Sequence, residues 1–348
     1  MQMDNQRTEI STLGEFGLID FLTKNIELQH AGTLVGVGDD AAVLDHFGRQ
    51  IVVTTDLLTE SVHFDLAYTP LKHLGYKAVV VNLSDIYAMN ATPAQFLLSV
   101  GISNRFSVEA LQEFYEGVYL ALERYGVDLV GGDTTASSSG LILSGTAIGE
   151  VAPDRYVRRG TARKGDLVCV TGDLGAAYLG LQLLEREKKI YLEHPEIQPD
   201  LENQAYVLER LLKPEARKDI IAFFEDADLL PTAMLDVSDG LSSDILHICK
   251  QSNLGCVVYE EKLPVHTDTS LLGIKMGLDP TTCALHGGED YELLFTIRPE
   301  DYDKVTVSEQ ISVIGYMTGP EDGYFLETRS GNRHPLTAQG WNAFQSPA

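Results

Sequence analysis

Positive charge is what this chain has least of: 26 Lys and Arg stand against 51 Asp and Glu, a formal charge of −25. Nucleic-acid binding rests on Lys and Arg meeting phosphates, so that partner is excluded, and the same balance argues against an anionic membrane surface. No apolar run approaches the length of a membrane span, and the polar stretch from Met1 to Glu9 has no signal-peptide pattern. A soluble, cytoplasmic protein is expected. There are only four cysteines (Cys169, Cys249, Cys256, Cys283), none at CxxC spacing. They read as buried thiols in a reducing compartment. The nine histidines show no zinc spacing. Without a Gly-x-Ser-x-Gly elbow or a cysteine in an electropositive turn, nucleophilic catalysis has no support. Gly172 to Gly175 lacks the Lys-Ser/Thr ending of a phosphate-binding P-loop. Heptads, low-complexity tracts and short repeats are also missing.

What remains is an ordinary globular chain. Its 348 residues, 44% hydrophobic, can bury a sizeable core and suggest two domains. The spacing of Phe16, Ile19, Leu22 and Ile26 predicts a helix within 11–30. Gln50–Thr55 is β-branched and reads as a strand ending at Asp56. Helices are expected over Pro70–Met89 and Val108–Tyr125, and strands over Asp128–Val130 and Leu141–Val151. Residues 1–154 thus read as an N-terminal α/β domain, and the basic stretch Arg155–Asp166 as a link. The C-terminal α/β domain, 155–348, is expected to hold strands at Leu167–Val170, Met234–Val237, Cys256–Tyr259, Tyr291–Ile297 and Ser312–Tyr316. It also carries a helix running to Leu184 and another over Ser242–Cys249. The charged, Pro-interrupted segment 185–205 reads as a solvated insertion without a functional role.

Against this background the acids are unusual in their placement. Asp39 and Asp40 sit side by side in a glycine turn, Gly36-Val37-Gly38-Asp39-Asp40-Ala41. Further acidic turns follow apolar segments: Thr54-Thr55-Asp56, Asn82-Leu83-Ser84-Asp85, Gly131-Gly132-Asp133 and Asp236-Val237-Ser238-Asp239-Gly240. Asp85 shares a helix face with Leu74, Ala78, Val81 and Met89, where an unpaired carboxylate would cost several kcal/mol, so a cation or a donor must be near. The turn at Gly36 has dinucleotide-binding spacing, but its acids would oppose phosphates and a strand follows it. The run from Asp236 to Asp244 fails as a calcium loop, its glycine one place early and His247 at position twelve. Asp and Thr oxygens in quantity are the ligand set of Mg²⁺ bridging protein to phosphates, which points to phosphoryl transfer from a nucleotide. Asp39 reads equally as a turn cap, and Lys77 as a lysine laying its stem along its helix.

In order along the chain stand Gly38-Asp39-Asp40-Ala41-Ala42, Thr54-Thr55-Asp56, His63-Phe64 and Tyr76-Lys77-Ala78 leading to Asn82-Leu83-Ser84-Asp85. Gly131-Gly132-Asp133-Thr134-Thr135, Asp236-Val237-Ser238-Asp239-Gly240 and Gly287-Gly288-Glu289-Asp290-Tyr291-Glu292-Leu293 follow. Together they resemble thiamine-monophosphate kinases, from about Gly14 to Phe344. The resemblance implies the α/β fold of the aminoimidazole-ribonucleotide-synthetase superfamily, with N-terminal sheets pairing in a homodimer and nucleotide between the domains. It implies transfer of the γ-phosphoryl of ATP to thiamine monophosphate. Asp40, Thr54, Thr55, Asp56, Asp85, Asp133, Asp236 and Asp239 would then be ligands to several Mg²⁺ ions. Gly132, Asp133, Arg159 and Ser238 would contact ATP, and His63, Glu289 and Trp341 the thiamine phosphate. The tail departs from the family in having Ala343 where a His is usual.

Physical chemistry supports such a reaction. A phosphate-ester oxygen is already ionised near neutral pH, so direct in-line transfer needs no protein nucleophile or strong base. The obstacle is repulsion: two unit charges 4 Å apart repel by about 1 kcal/mol in water and about 4 at an effective dielectric of 20. Metal ions between an acidic wall and the phosphates reverse that sign. Competing readings are another ATP-using member of the superfamily, a ligase or synthetase, and a non-catalytic Mg-nucleotide-binding module. Selenophosphate synthetase chemistry needs a reactive Cys near the N-terminus, and the first cysteine here is Cys169.

Overall fold

A computed structural model describes residues 33–35, 39–46 and 48–338. The helix expected within 11–30, the start of the glycine turn at 36–38, and Trp341 lie outside the described residues. Six strands form the first sheet: β1 Thr33–Val35, β2 Ala42–His46, β3 Arg49–Thr59, β4 Thr92–Ile102, β5 Asp128–Ala136 and β6 Ile142–Val151, in the order β1-β2-β3-β6-β4-β5. Pairing is antiparallel except between β4 and β5. β-Branched residues suit the pleat, and alternation along β3 sends Val52, Thr54 and Asp56 to one face and Thr55 and Leu57 to the other.

Helix α1 (Leu71–Ala88) lies against the first of these faces, and α2 (Val108–Tyr125) packs on α1. Ser107 caps α2 by accepting the Ala110 N–H at 3.2 Å, and Gly126, at φ 73°, ends it in the left-handed region. The two helices cross closely because two glycines face the crossing. A Cβ on Gly75 would lie 1.9 Å from the Phe114 carbonyl oxygen, and one on Gly117 1.8 Å from that of Lys72. The central helix α1 is therefore buried around most of its circumference, which is why its sequence is apolar on nearly every side.

The second sheet has the order β13-β12-β9-β11-β7-β10-β8. Its strands are β7 Leu167–Thr171, β8 Ala233–Asp236, β9 Gly255–Tyr259, β10 Leu293–Ile297, β11 Ile311–Thr318, β12 Tyr324–Glu327 and β13 Arg333–Pro335. Around it run α3 (Ala176–Glu193), α4 (Ala205–Leu212), α5 (Lys218–Asp226), α6 (Leu241–Ser252), α7 (Thr267–Met276) and α8 (Pro280–His286). All four cysteines are buried free thiols. Among the described residues no helix is long and apolar enough to cross a membrane.

Three expectations change. The strand expected to stop at Val130 continues through the glycines to Ala136, because β4 supplies parallel partners as far as Ile102. The strand expected from Tyr291 starts at Leu293, since Tyr291 adopts φ 51°. The segment 185–205 is not simply a solvated insertion. Nothing between Glu185 and Glu193 breaks a helix, so α3 runs on until Pro195 forbids it. Within that extension Glu187 is buried and accepts the Asp200 backbone N–H at 2.8 Å, folding the following loop back onto the helix.

Candidate active site

Three acids from three distant parts of the chain meet where α1 approaches β8. One carboxylate oxygen each from Asp40, Asp85 and Asp236 lies within 4.8 Å of the others. Asp40 precedes β2, Asp85 is in the last turn of α1, and Asp236 ends β8. Thr54 on β3 donates its hydroxyl to Asp85 Oδ2 at 2.6 Å, and Ser84 donates to Asp236 Oδ2 at 2.6 Å. Asp56, two residues beyond Thr54 on the same strand face, is held by its backbone N–H donating to Asn82 Oδ1 at 3.0 Å. Asn82 in turn donates to Ala78 O, and Gly145 opposite Asp56 leaves it room: a Cβ there would sit 2.3 Å from Asn82 Nδ2.

Among the described residues the strong counter-charge on this group is Arg159, which forks onto Asp40 through Nε (3.1 Å to Oδ2) and through Nη2 to Oδ1, and lies 3.4 Å from Asp39. Burial, together with mutual repulsion that one guanidinium does not neutralise, raises several of these carboxyls above their ordinary range. Burial, then Asp40, pushes Asp236 up to about 7 against the Ser84 bond. Burial and Asp40 raise Asp56 to about 6. Burial and the same neighbour raise Asp39 to about 7 despite Arg159. Burial, then Asp56, Asp236 and Asp40, hold Asp85 well above the carboxylate range. Burial would lower Arg159, yet Asp40 and Asp39 keep it above its usual value. Behind the group, Asp244 in the first turn of α6 is buried with its Oδ2 unpartnered among the described residues, and burial with Asp239 raises it too.

Asp56, Asp85 and Asp236 line a cleft of about 1020 Å³, into which Asp239, Ser238, His63 and Glu289 also open. The 287–289 loop rests on the Asp236–Gly240 turn: Glu289 N–H donates to Ser238 O at 2.8 Å and Tyr291 N–H to Val237 O at 2.9 Å. Both residues hold left-handed backbones, φ 58° and 51°, a strain that packed functional loops retain. His63 Nδ1 accepts the Thr59 N–H at 3.1 Å, so the neutral ring carries its proton on Nε2. At the mouth, Tyr68 donates to Glu185 at 2.6 Å and Lys188 pairs with Asp65. Sequence reasoning missed Tyr68, Asp65 and these α3 residues, because Glu185 and Lys188 look like solvated charges until the helix is placed. It also misread Lys77, which is buried and donates to Glu289 at 2.9 Å instead of lying along its helix in water.

Not every predicted ligand joins the group. Thr55 points to the opposite sheet face, donating to Gly145 O at 2.6 Å and accepting from Thr146. Gly132 and Asp133 lie on the exposed edge strand β5, opposite Leu98 and Ser99, and Asp133 lines a separate hollow of about 390 Å³ with Ser99, Thr135 and Ser144. Trp341 is outside the described residues.

As ligands, the gathered groups are carboxylate and hydroxyl oxygens. Hard divalent cations such as Mg²⁺ take such donors, and buried carboxyls that repel one another make a place suited to added positive charge.

Comparison with known proteins agrees. The family profile for AIR synthase related protein, N-terminal domain, matches residues 38–151. The thiamine-monophosphate kinase of Aquifex aeolicus (strain VF5) is 36% identical over 335 residues, 96% of this chain and 99% of that protein. That of Bacillus subtilis (strain 168) is 32% identical over 342 residues, covering 96% and 100%. A solved structure described as AaThiL complexed with AMPPCP and TMP superposes with a TM-score of 0.82 at 32% identity, covering 97% of this chain and 99% of that one. The two-sheet fold, the acids converging from three segments and near full-length similarity place the chain in one family: it belongs to the thiamine-monophosphate kinases.

Proposed function

We propose that this chain transfers the γ-phosphoryl group of ATP to thiamine monophosphate, yielding thiamine diphosphate and ADP. The observation that carries this reading is the meeting of Asp40, Asp85 and Asp236 within 4.8 Å, with Asp85 and Asp236 lining the cleft, in a chain whose relatives are kinases of that substrate. Several Mg²⁺ ions, held by Asp40, Asp56, Asp85, Asp236 and Asp239 with the Thr54 hydroxyl, would bridge the phosphates and offset their negative charge.

The protein's own task is positioning. Thr54, Ser84 and Asn82 fix the acids by hydrogen bonds at 2.6, 2.6 and 3.0 Å, so the cation-binding oxygens are preorganised before phosphates arrive. Arg159, by family resemblance, and Ser238 would contact the nucleotide, while His63 and Glu289 line the cleft where it would take the acceptor. Gly132, Asp133 and Thr55 are assigned to the nucleotide and its metals by family resemblance, and Trp341 to the acceptor on the same basis. Transfer is direct and in line: the acceptor phosphate, already ionised near neutral pH, is its own nucleophile. Residues 1–154 and 155–348 act as two domains, one contributing Asp40 to Asp85 and the other Asp236 to Glu289. The exposed sheet face carrying Leu57 is proposed to pair in a homodimer in the cytoplasm, without nucleic acid or membrane.

Mass-spectrometric detection of thiamine diphosphate from thiamine monophosphate, ATP and Mg²⁺ tests the reading, with Asp56→Asn as control. Release of ADP without that product would refute it. Radiolabel trapped covalently on the protein in a quench-flow experiment would refute direct transfer.

A further inference from the structure

Seven carboxylates and two lysines line the cleft. Lys188 sits at the mouth, 29% exposed and bound to Asp65. Lys77 is deep, its side chain 5% exposed, and its ion-pair partner Glu289 comes from the other half of the chain, 212 residues away. Burying a lysine against a carboxylate brings little net stability, so stability alone is a weak reason for a charge at this depth. Its position is more informative. Lys77, Val81 and Asp85 follow at four-residue steps along α1 and all three face the cleft. Eight residues at about 1.5 Å rise put the lysine about 12 Å along the helix from the cation-binding acid. An acceptor phosphate lying beside the Asp40–Asp85–Asp236 group, on its side toward Lys77, would meet a four-carbon stem anchored just over two turns away.

Resting on the function proposed above, we propose that Lys77 and Glu289 form the recognition pair for the acceptor. Lys77 binds its phosphate and Glu289 its cationic thiazolium–aminopyrimidine portion, the two side chains exchanging each other for the two ends of one zwitterionic substrate. Lys77 is then the residue that distinguishes the phosphate ester from unphosphorylated thiamine. A charge-assisted bond of this kind accounts for a preference of about tenfold to a hundredfold. The fixed left-handed backbone of Glu289, tied to Ser238 O, keeps its carboxylate aimed at that place.

Isothermal titration with thiamine monophosphate and with thiamine tests this, alongside Mg-AMPPCP as a check of the nucleotide end. In Lys77→Met the preference for the phosphate ester is expected to fall about tenfold or more, with thiamine and nucleotide affinity little changed. Glu289→Gln is expected to weaken both thiamine ligands in parallel and keep the preference. A merely structural pair would behave otherwise: removing both charges in Lys77→Met/Glu289→Gln would restore the preference, and that result overturns the proposal. So does an unchanged preference in Lys77→Met. Should Lys77→Met not fold, Glu289→Gln still decides, because loss of the preference there places the phosphate on the wrong partner. A wild-type chain that makes no thiamine diphosphate fails the functional reading itself, whereas an active wild type with unaltered discrimination in Lys77→Met fails this inference alone.

Discussion

Magnesium should stabilise this protein more as the pH rises, and the size of the effect follows from the acid group. Asp236 is lifted from 3.8 to about 7 by burial and by Asp40. Three units at about 1.36 kcal/mol each make the charged carboxyl cost the fold about 4 kcal/mol. The sign is that of any acid whose folded pKa is raised: its contribution is fully present below about 3.8 and is lost as pH climbs through about 7. Asp39, Asp56 and Asp85 shift in the same direction and titrate together with it, so one shift and not their sum sets the scale. With about 2.1 cal/mol/K of unfolding entropy per residue over 348 residues, 4 kcal/mol moves the midpoint by about 5 °C if the chain melts as one unit. The assay is thermal unfolding in EDTA and in excess Mg²⁺ from pH 5 to pH 8. Part of that cost is already present at pH 5, so the gap between the two midpoints is expected to widen by about 3–4 °C across that window, and to widen less in Asp236→Asn. Taking the difference cancels every carboxyl outside the cleft. A gap that stays constant or narrows with rising pH would show that the acids do not bind the cation.

Three further outcomes are expected. Asp85→Asn removes the central carboxylate, which accepts the Thr54 hydroxyl at 2.6 Å; turnover should fall by about 100-fold or more, and full activity in a steady-state assay would remove Asp85 from the site. Gly117→Ala places a methyl 1.8 Å from Lys72 O at the α1–α2 crossing, so chemical denaturation should show a loss of about 3 kcal/mol or more, and a wild-type midpoint would refute the close approach. Leu57, 56% exposed on the outer sheet face, is proposed to lie in a homodimer; Leu57→Asp should elute as a folded monomer in light-scattering chromatography, and an unchanged mass would place any interface elsewhere.

Most secondary structure was legible locally. The α2 stripe of Phe114, Val118, Ala121 and Leu122, framed by Ser107 and Gly126, fixes both ends of that helix from residue types alone. The length of α3 was not legible, because Glu185 to Glu193 carries charges that read as solvent-facing. Only their packing against Tyr68, Asp65 and the folded-back loop shows otherwise. Asp85 stood out in sequence as an acid on an apolar helix face, and its neighbours prove to be other acids and Thr54 in place of a basic partner.

The proposed ligand chemistry was legible in the sequence itself: an excess of Asp and Thr oxygen in turns after apolar segments already pointed to cations and phosphates. Which of those oxygens meet was decided by the tertiary structure. Thr54 and Thr55 are adjacent in the chain yet face opposite sides of β3, because strand parity acquires a direction only when α1 covers one face of the sheet. Lys77 and Glu289 are 212 residues apart and meet only because α1 packs beside β8 in the folded chain. Local residue patterns carry chemical identity and period, whereas proximity between distant segments is a property of the packed core.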